Sequence, residues 1–457
     1  MKLPLIAVAA LLCLSIAARA EDREELWKKC KAESTKISIP GCASLIDGGQ
    51  ESTAERAAAF FHRANAFDSD RDYGRAIEDF SQAILLKPDY AEAFYGRANA
   101  YASKQEDVRA IKDFDEAIRL KPNFPIAFYY RGNAYKALED HDRAIRDYDE
   151  SIRLDPNFGD VYNNRGTEYA AKGDCDHALE NYDLAILVKP DVAVFHNNRG
   201  NAYLCKRQFD RAQQDYNRAL LLRPGYALAY YNRGRLYYQR DDYARAVVEF
   251  NEAIRRNPYY ADAFLFRGNA YGHLGDTGRA IADYNTAIRL NPNDRDVFRD
   301  RGVAYFATGR YSQAVADFER MTALKEDAYG VLWLYLARAR AGREGLEALA
   351  ASKVDRAHWP GPAVEFYLDK LSPENLLKAA ANPDQQKDLE QRCEAYFFLG
   401  QQALLAGNQA EARRLFQQTL ATGLTHFLEY VVARAELPWL SETAKPEPPR
   451  DNANQRD

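Results

Sequence analysis

Methionine occurs twice and cysteine six times in 457 residues, and 25 glycines and 18 prolines are too few for a collagen-like or low-complexity chain. Charge of one sign is also missing. Lys and Arg total 62 against 67 Asp and Glu, and a net charge of −5 gives no global field to gather nucleic acid or an anionic membrane. No nucleic-acid partner is expected. After residue 20 no apolar run reaches the ~20 residues that a membrane-spanning helix needs, so no integral membrane segment is expected there. Catalytic signatures are absent: there is no P-loop, no G-x-G-x-x-G after a strand, no G-x-S-x-G, no H-E-x-x-H and no C-x-x-C. The seven His are scattered, and even Cys175-Asp176-His177 lacks strong metal spacing. An enzyme would need a site assembled across repeats, so no enzymatic activity, cofactor or metal is expected. What is there, 47% hydrophobic residues including thirty Tyr, supplies a large core and rules out disorder for the chain as a whole.

Residues 1–20 join Lys2 to an apolar run from Leu3 to Ala18 and end on small residues at Ala18 and Ala20. This reads as a cleavable signal peptide, with an N-terminal anchor as the alternative. Cys13 follows Leu11 and Leu12 rather than a small residue, so lipid attachment there is not expected. Loss of Lys2 and Arg19 takes the charge from −5 to −7, and the expected location is periplasmic or secreted. Export would place the other five Cys in an oxidising compartment. Residues 21–56 read as an N-terminal helical cap in which Cys30 and Cys42 flank Pro40-Gly41; a disulfide would staple a piece too small to hold itself, two buried thiols being the alternative.

Pro88, Pro122, Pro156, Pro190, Pro224, Pro258 and Pro292 fall 34 residues apart. With these at position 32 of a repeat, the first repeat starts at Ala57. Position 20 is then Ala eight times, from Ala76 to Ala314, and position 24 is always Phe or Tyr, from Phe80 to Phe318. Position 8 is Ala64 and Ala98, then Gly from Gly132 to Gly302, and position 11 is aromatic throughout. Positions 4, 8 and 11, and again 20, 24 and 27, share i, i+4, i+7 spacing, so each 34-mer reads as two amphipathic helices joined by a turn. Small residues at 8 and 20 let the helices approach while the aromatics fill the space between them. Proline ends the second helix, and Asp89, Asn123, Asn157, Asp191 or Asn293 beyond it can cap the next one.

This pattern resembles the tetratricopeptide repeat family, which implies an all-α, right-handed superhelix (an α-solenoid) with eight regular repeats over residues 57–328. One departure stands out: position 7, usually Leu, is Arg in every repeat from Arg63 to Arg301. A ladder for polyanions is one reading. Position 23 is acidic in seven of eight repeats, so pairing of the Arg and acidic columns between helices is the favoured one. Cys175 starts a second helix and Cys205 ends a following first helix, which leaves a further disulfide open.

Residues 329–440 read as a degenerate helical continuation in which Gly400, Ala412 and Phe416 recover positions 8, 20 and 24, with a closing helix near Phe427 to Leu440. Residues 441–457 are Pro-rich and polar and are expected to be disordered. The runs EAYFFLGQQALLAGNQAEARRLF and THFLEYVVARAEL resemble the C-terminal portion of the new lipoprotein I family of bacterial envelope proteins. That resemblance implies a non-enzymatic adaptor bringing cell-wall hydrolases to a periplasmic protease. The missing lipid-attachment Cys leaves the clients and the tether in doubt.

In tetratricopeptide proteins with peptide ligands, positions 2, 5, 9, 12 and 13 of the first helices line the concave face. Carried over, position 9 gives Asn65, Asn99, Asn133, Asn201 and Asn269, with Arg235 in the same column. Position 5 gives Tyr95, Tyr129 and Tyr231, and position 12 gives Tyr238. Asn offers donor and acceptor to an extended backbone, and Tyr offers area with a polar tip. A protein or peptide partner in this groove is the expectation. A structural subunit of an envelope export or assembly complex and a glycan- or peptidoglycan-binding protein are the alternatives, and the oligomeric state is open.

Overall fold

The computed structural model describes residues 22–49 and 51–440, which are helices and their connections with no strand among them. The signal peptide expected at 1–20 and the disorder expected at 441–457 lie outside the described residues. The chain divides into two units, one ending at Leu222 and the other beginning at Arg223.

In the first unit, α1 (22–30) and α2 (Thr35–Asp47) form the cap, and a Cys30–Cys42 disulfide ties them as expected. Five hairpins follow: α3 (Thr53–Ser69) with α4 (Tyr73–Leu86), α5 (Ala91–Ser103) with α6 (Asp107–Leu120), α7 (Pro125–Ala137) with α8 (His141–Leu154), α9 (Gly159–Ala171) with α10 (Cys175–Val188), and α11 (Ala193–Cys205) with α12 (Phe209–Leu222). The first helix starts four residues ahead of Ala57, at a capping box in which Ser52 and Glu55 satisfy each other's backbone N–H. A second disulfide, Cys175–Cys205, joins the start of α10 to the end of α11 with Cα atoms 6.5 Å apart.

The second unit continues with α13 (Ala227–Gln239) and α14 (Tyr243–Arg256), α15 (Ala261–His273) and α16 (Thr277–Leu290), and α17 (Arg295–Ala307) and α18 (Tyr311–Leu324). Beyond the last regular repeat come α19 (Ala328–Arg340), the short α20 (Leu346–Ala351), α21 (Gly361–Tyr367) and α22 (Pro373–Ala379), the hairpin of α23 (Gln385–Leu405) with α24 (Gln409–Ala421), and α25 (Leu428–Glu436). Trp333 of α19 is buried between Phe306, Phe318 and Phe397, and so welds the last repeat to the C-terminal helices.

The small-residue columns do what their spacing predicts. All eight Ala at position 20 are fully buried, and a Cβ placed on Gly234 would stand 2.6 Å from Phe250 Cε1. The same crossing recurs in the degenerate hairpin, where a Cβ on Gly400 would lie 2.6 Å from Phe416. The capping expectation is corrected. Tyr90, Phe124, Phe158 and Tyr260 occupy the N-caps of first helices without a side-chain cap bond, and their rings stack on Phe61, Tyr95, Tyr129 and Tyr231 instead. Packing has taken the position where a cap would sit. Within the regular repeats the carboxylates that cap are Asp72, Asp140, Asp174, Asp242 and Asp276, at second helices, and Asp294, at the first helix of the eighth repeat; beyond them Asp327 and Asp384 cap α19 and α23.

The arginine column is a staple. Arg63, Arg97, Arg131, Arg199, Arg267 and Arg301 each grip the position-23 Asp of their own hairpin with two N–H donors at 2.6–2.9 Å. Arg233 donates to Glu249 and Arg165 to Asn181. A further N–H reaches the preceding hairpin, sixteen residues back: Arg97 to Ser81, Arg131 to Asp115, Arg165 to Asp149, Arg199 to Asp183, Arg267 to Asn251 and Arg301 to Asn285. Each of these six guanidinium groups therefore ties three helices, and the polyanion-ladder reading gives way to structure. Asp147 is 5% exposed, so Arg131→Ala strands a buried carboxylate and is expected to cost about 3–5 kcal/mol. Adding Asp147→Leu should recover a large part of that loss in urea unfolding, which a surface ion pair would not do.

Candidate functional site

In the first unit the predicted groove residues are held by the fold itself. Tyr95 lies against Phe114 and Phe124, and Tyr129 against Tyr148 and Phe158. The hydroxyls of Tyr148 and Tyr216 donate to Asn133 and Asn201, so these Asn serve as partners for buried position-24 tyrosines. Where position 24 is Phe80, Asn65 donates to the carbonyl of Phe61 in its own helix and stays exposed. Asn99, opposite Phe114, is half-buried with its Oδ1 unpartnered.

A different set of amides links the first helices of this unit. Asn164 donates to Asn133 Oδ1 at 2.9 Å and to the Tyr129 hydroxyl at 3.2 Å, Asn163 to Asn164 at 3.2 Å, Asn198 to Asn163 at 3.0 Å, and Asn197 to Asn198 at 3.2 Å. These amides form a chain across consecutive first helices, and Tyr130, 37% exposed, adds an aromatic surface against Tyr95 and Tyr129. The sequence signal was present: Asn occupies positions 5 and 6 together in two successive repeats.

In the second unit Tyr231 packs on Phe250 and Tyr260, and the Arg235 guanidinium sits over the rings of Tyr231 and Phe266. Tyr238 shares a 2.8 Å hydrogen bond with His273 Nε2, and burial drives the His273 pKa down to about 4, so this imidazole is neutral. Asn269 accepts from Tyr284 at 2.7 Å. Tyr238 and Asn269 line a cavity of about 500 Å³ whose opposite wall comes from the chain's own C-terminal region. There α25 packs against α17, α23 and α24, facing positions 5, 6, 9 and 12 of the last repeats. Arg340 fastens it by an ion pair to Glu436 at 2.8 Å, and Glu429, Val432, Ala433 and Glu436 are its buried residues. First-helix positions expected to line a groove are therefore covered here by the protein itself.

Two carboxyls meet inside the cavity. Glu394, 6% exposed, accepts from the Tyr329 hydroxyl at 2.9 Å and from the Trp359 indole, while Glu429 is 4% exposed. Burial pushes both well above the ordinary carboxylate range, and repulsion from Glu429 adds to the shift at Glu394 despite the two donors. Arg299 is the cation that acts on Glu429, but its N–H groups are held by Asp300 at 2.8 Å and Asp296 at 2.9 Å. Position-based reasoning missed this site, although Arg299-Asp300 at positions 5 and 6, where other repeats carry aromatic or amide residues, was a visible signal. Cys393 is a buried thiol with its pKa pushed up to about 12 by burial, and it is chemically quiet.

An acid whose folded pKa lies above its unfolded value, about 4.3 for Glu, binds its proton more tightly when folded. Its contribution is fully present below the unfolded value and is lost as pH rises through the folded one. Between about pH 5 and about pH 8 the second unit should thus lose on the order of 2 kcal/mol that Glu429→Gln does not lose. Thermal unfolding followed by tryptophan emission checks this, because Trp333, Trp359 and Trp439 all lie in the second unit.

Among the described residues no group of three or more His, Cys, Asp or Glu is placed to hold a metal ion, and no helix is long and apolar enough to cross a membrane. Family models of the tetratricopeptide repeat match residues 61–125, 125–158, 197–261 and 268–343. A lipoprotein NlpI homolog of Haemophilus influenzae is 33% identical over 121 residues, which are 25% of this chain; the chain thus spans only 38% of that relative's length. Among solved structures, a tetratricopeptide repeat protein from Parabacteroides merdae aligns with a TM-score of 0.47 and 16% identity, over 54% of this chain and 97% of that one. YrrB, a tetratricopeptide repeat protein with an unusual peptide-binding site, aligns with a TM-score of 0.36 and 24% identity, over 41% of this chain and 95% of its own. With the repeat matched in both units and its Gly-aromatic crossings seen in the helices themselves, this chain belongs to the tetratricopeptide repeat proteins.

Proposed function

We propose that this protein is a non-enzymatic scaffold of the bacterial cell envelope that binds protein or peptide partners along the concave face of its first unit. The observation that carries the reading is α25. A helix of the chain itself lies on α17, the first helix of the last regular repeat, with Glu429 buried, so this kind of face accepts a peptide segment. In the first unit the equivalent positions carry the half-buried amides of Asn164 and Asn198, linked through Asn163, and the exposed ring of Tyr130, which suit an extended backbone and an apolar side chain. The two disulfides fit an oxidising compartment, and the likeness to a lipoprotein supports an envelope address. Cell-wall hydrolases or a periplasmic protease are the clients that the C-terminal resemblance suggests.

Capture from a periplasmic extract tests this reading. The parent should retain a defined set of proteins, and the double variant Tyr130→Ala, Asn198→Ala, which spares the packed Tyr129 and Asn133, should retain at least about ten-fold less, the loss expected from removing one interface hot spot. An empty parent column, or equal retention by the variant, would sink the first unit as the partner surface.

A further inference from the structure

The cavity in the second unit is not used by the scaffold reading, and its chemistry is specific. Its charged lining separates into satisfied and unsatisfied groups. Arg295 is paired with Asp327 at 2.6 Å and Arg299 with Asp300 at 2.8 Å. Glu394 and Glu429 are left without a cation in hydrogen-bonding contact. Glu429 is the more exposed case electrically, although the less exposed one to water. It is 4% accessible, it lines the cavity, and the hydrogen bond its carboxyl takes comes from its own backbone N–H. A buried carboxylate in that condition is costly unless something positive joins it. The upward push on both carboxyls by burial is what a pair lacking its counter-charge shows.

The walls say what kind of cation would fit. Trp333, Tyr329, Phe266 and Phe427 line the cavity with the pair, and aromatic rings of this kind attract ammonium and guanidinium groups and cover an apolar stem. The absence of any three-residue His, Cys, Asp or Glu set among the described residues disfavours a metal ion. A volume of about 500 Å³ holds a side-chain-sized ligand, with exposed His426 at its edge.

We propose that this cavity is a binding site for an organic cation on an apolar stem, an alkylammonium or guanidinium, held by Glu429 and Glu394 among the aromatic walls. The same chemistry can arrive as the Lys or Arg side chain of a peptide or as a free amine. The site does not depend on the first unit's partner surface.

Calorimetric titration of the full chain at low salt and mildly alkaline pH tests the proposal with three probes. These are N-acetyl-lysine methylamide, its uncharged isostere N-acetyl-norleucine methylamide, and cadaverine. The lysine amide or cadaverine should bind while the norleucine amide does not, and the tighter of the two cations identifies a peptide or a free-amine source. Glu429→Gln should weaken the cation at least ten-fold while its thermal unfolding at the same pH stays at or above that of the parent, which shows that the variant folds. Glu394→Gln serves as the second variant, with the same expectation. Equal binding of the norleucine amide, unchanged affinity in a folded Glu429→Gln protein, or no binding of either cation would overturn the assignment.

Discussion

A half-buried guanidinium at the crossing of three helices is the constraint from which the rest of each unit follows. Stacked helical hairpins have apolar faces that would tolerate small slips along their axes, because hydrophobic contact is non-directional. The position-7 arginine removes that freedom, since two parallel N–H bonds to a carboxylate fix both distance and rotation. Its third bond, to the preceding hairpin, sets the step from one repeat to the next. The packing columns are then held to one register: Gly234 can meet the ring of Phe250 because the backbones are pinned at that separation. Such pairs gain little over an apolar replacement and lose much when half-removed, so they specify the arrangement more than they stabilise it.

The repeat architecture was legible because it is written eight times. Prolines every 34 residues, the Ala column and the Gly-aromatic columns each carry a steric reason, and the Arg and acidic columns could be paired by arithmetic before any contact was seen. The caps of the first helices differ from expectation for a reason of competition: Asp89 or Asn123 is chemically able to cap, but the aromatic residue after it, Tyr90 or Phe124, is worth more as a partner for Phe61 or Tyr95. The Asn column at position 9 was misleading in a similar way. A polar residue on a first helix was assigned to ligands, whereas at Asn133, Asn201 and Asn269 its acceptor belongs to a tyrosine hydroxyl one helix away.

The C-terminal cavity was out of reach for another reason. Its two carboxyls are 35 residues apart, from α23 and α25, and their approach depends on a helix turning back onto repeats laid down more than a hundred residues earlier. Periodicity reports neighbours in the stack; it is silent on a segment that leaves the stack and returns. Only the irregular Arg299-Asp300 pair hinted that the eighth repeat faces something other than a free surface. The two units thus use one scaffold differently, one with a face of linked amides and an exposed tyrosine, the other with a face closed by its own chain over a charged interior.

Because the staple reaches sixteen residues forward and sixteen back, its partners always belong to the same 34-residue register. A gene segment encoding one whole repeat could be lost or copied within the regular stretch, and the guanidinium groups beyond the junction would still meet an acceptor oxygen on both sides. The Cys175–Cys205 bridge sets the limit of that interchangeability. Breaking the chain between those two repeats would leave each with an orphan thiol, so they would be inherited as a pair, while the hairpins before them are free to vary in number and thereby to lengthen or shorten the surface the first unit presents.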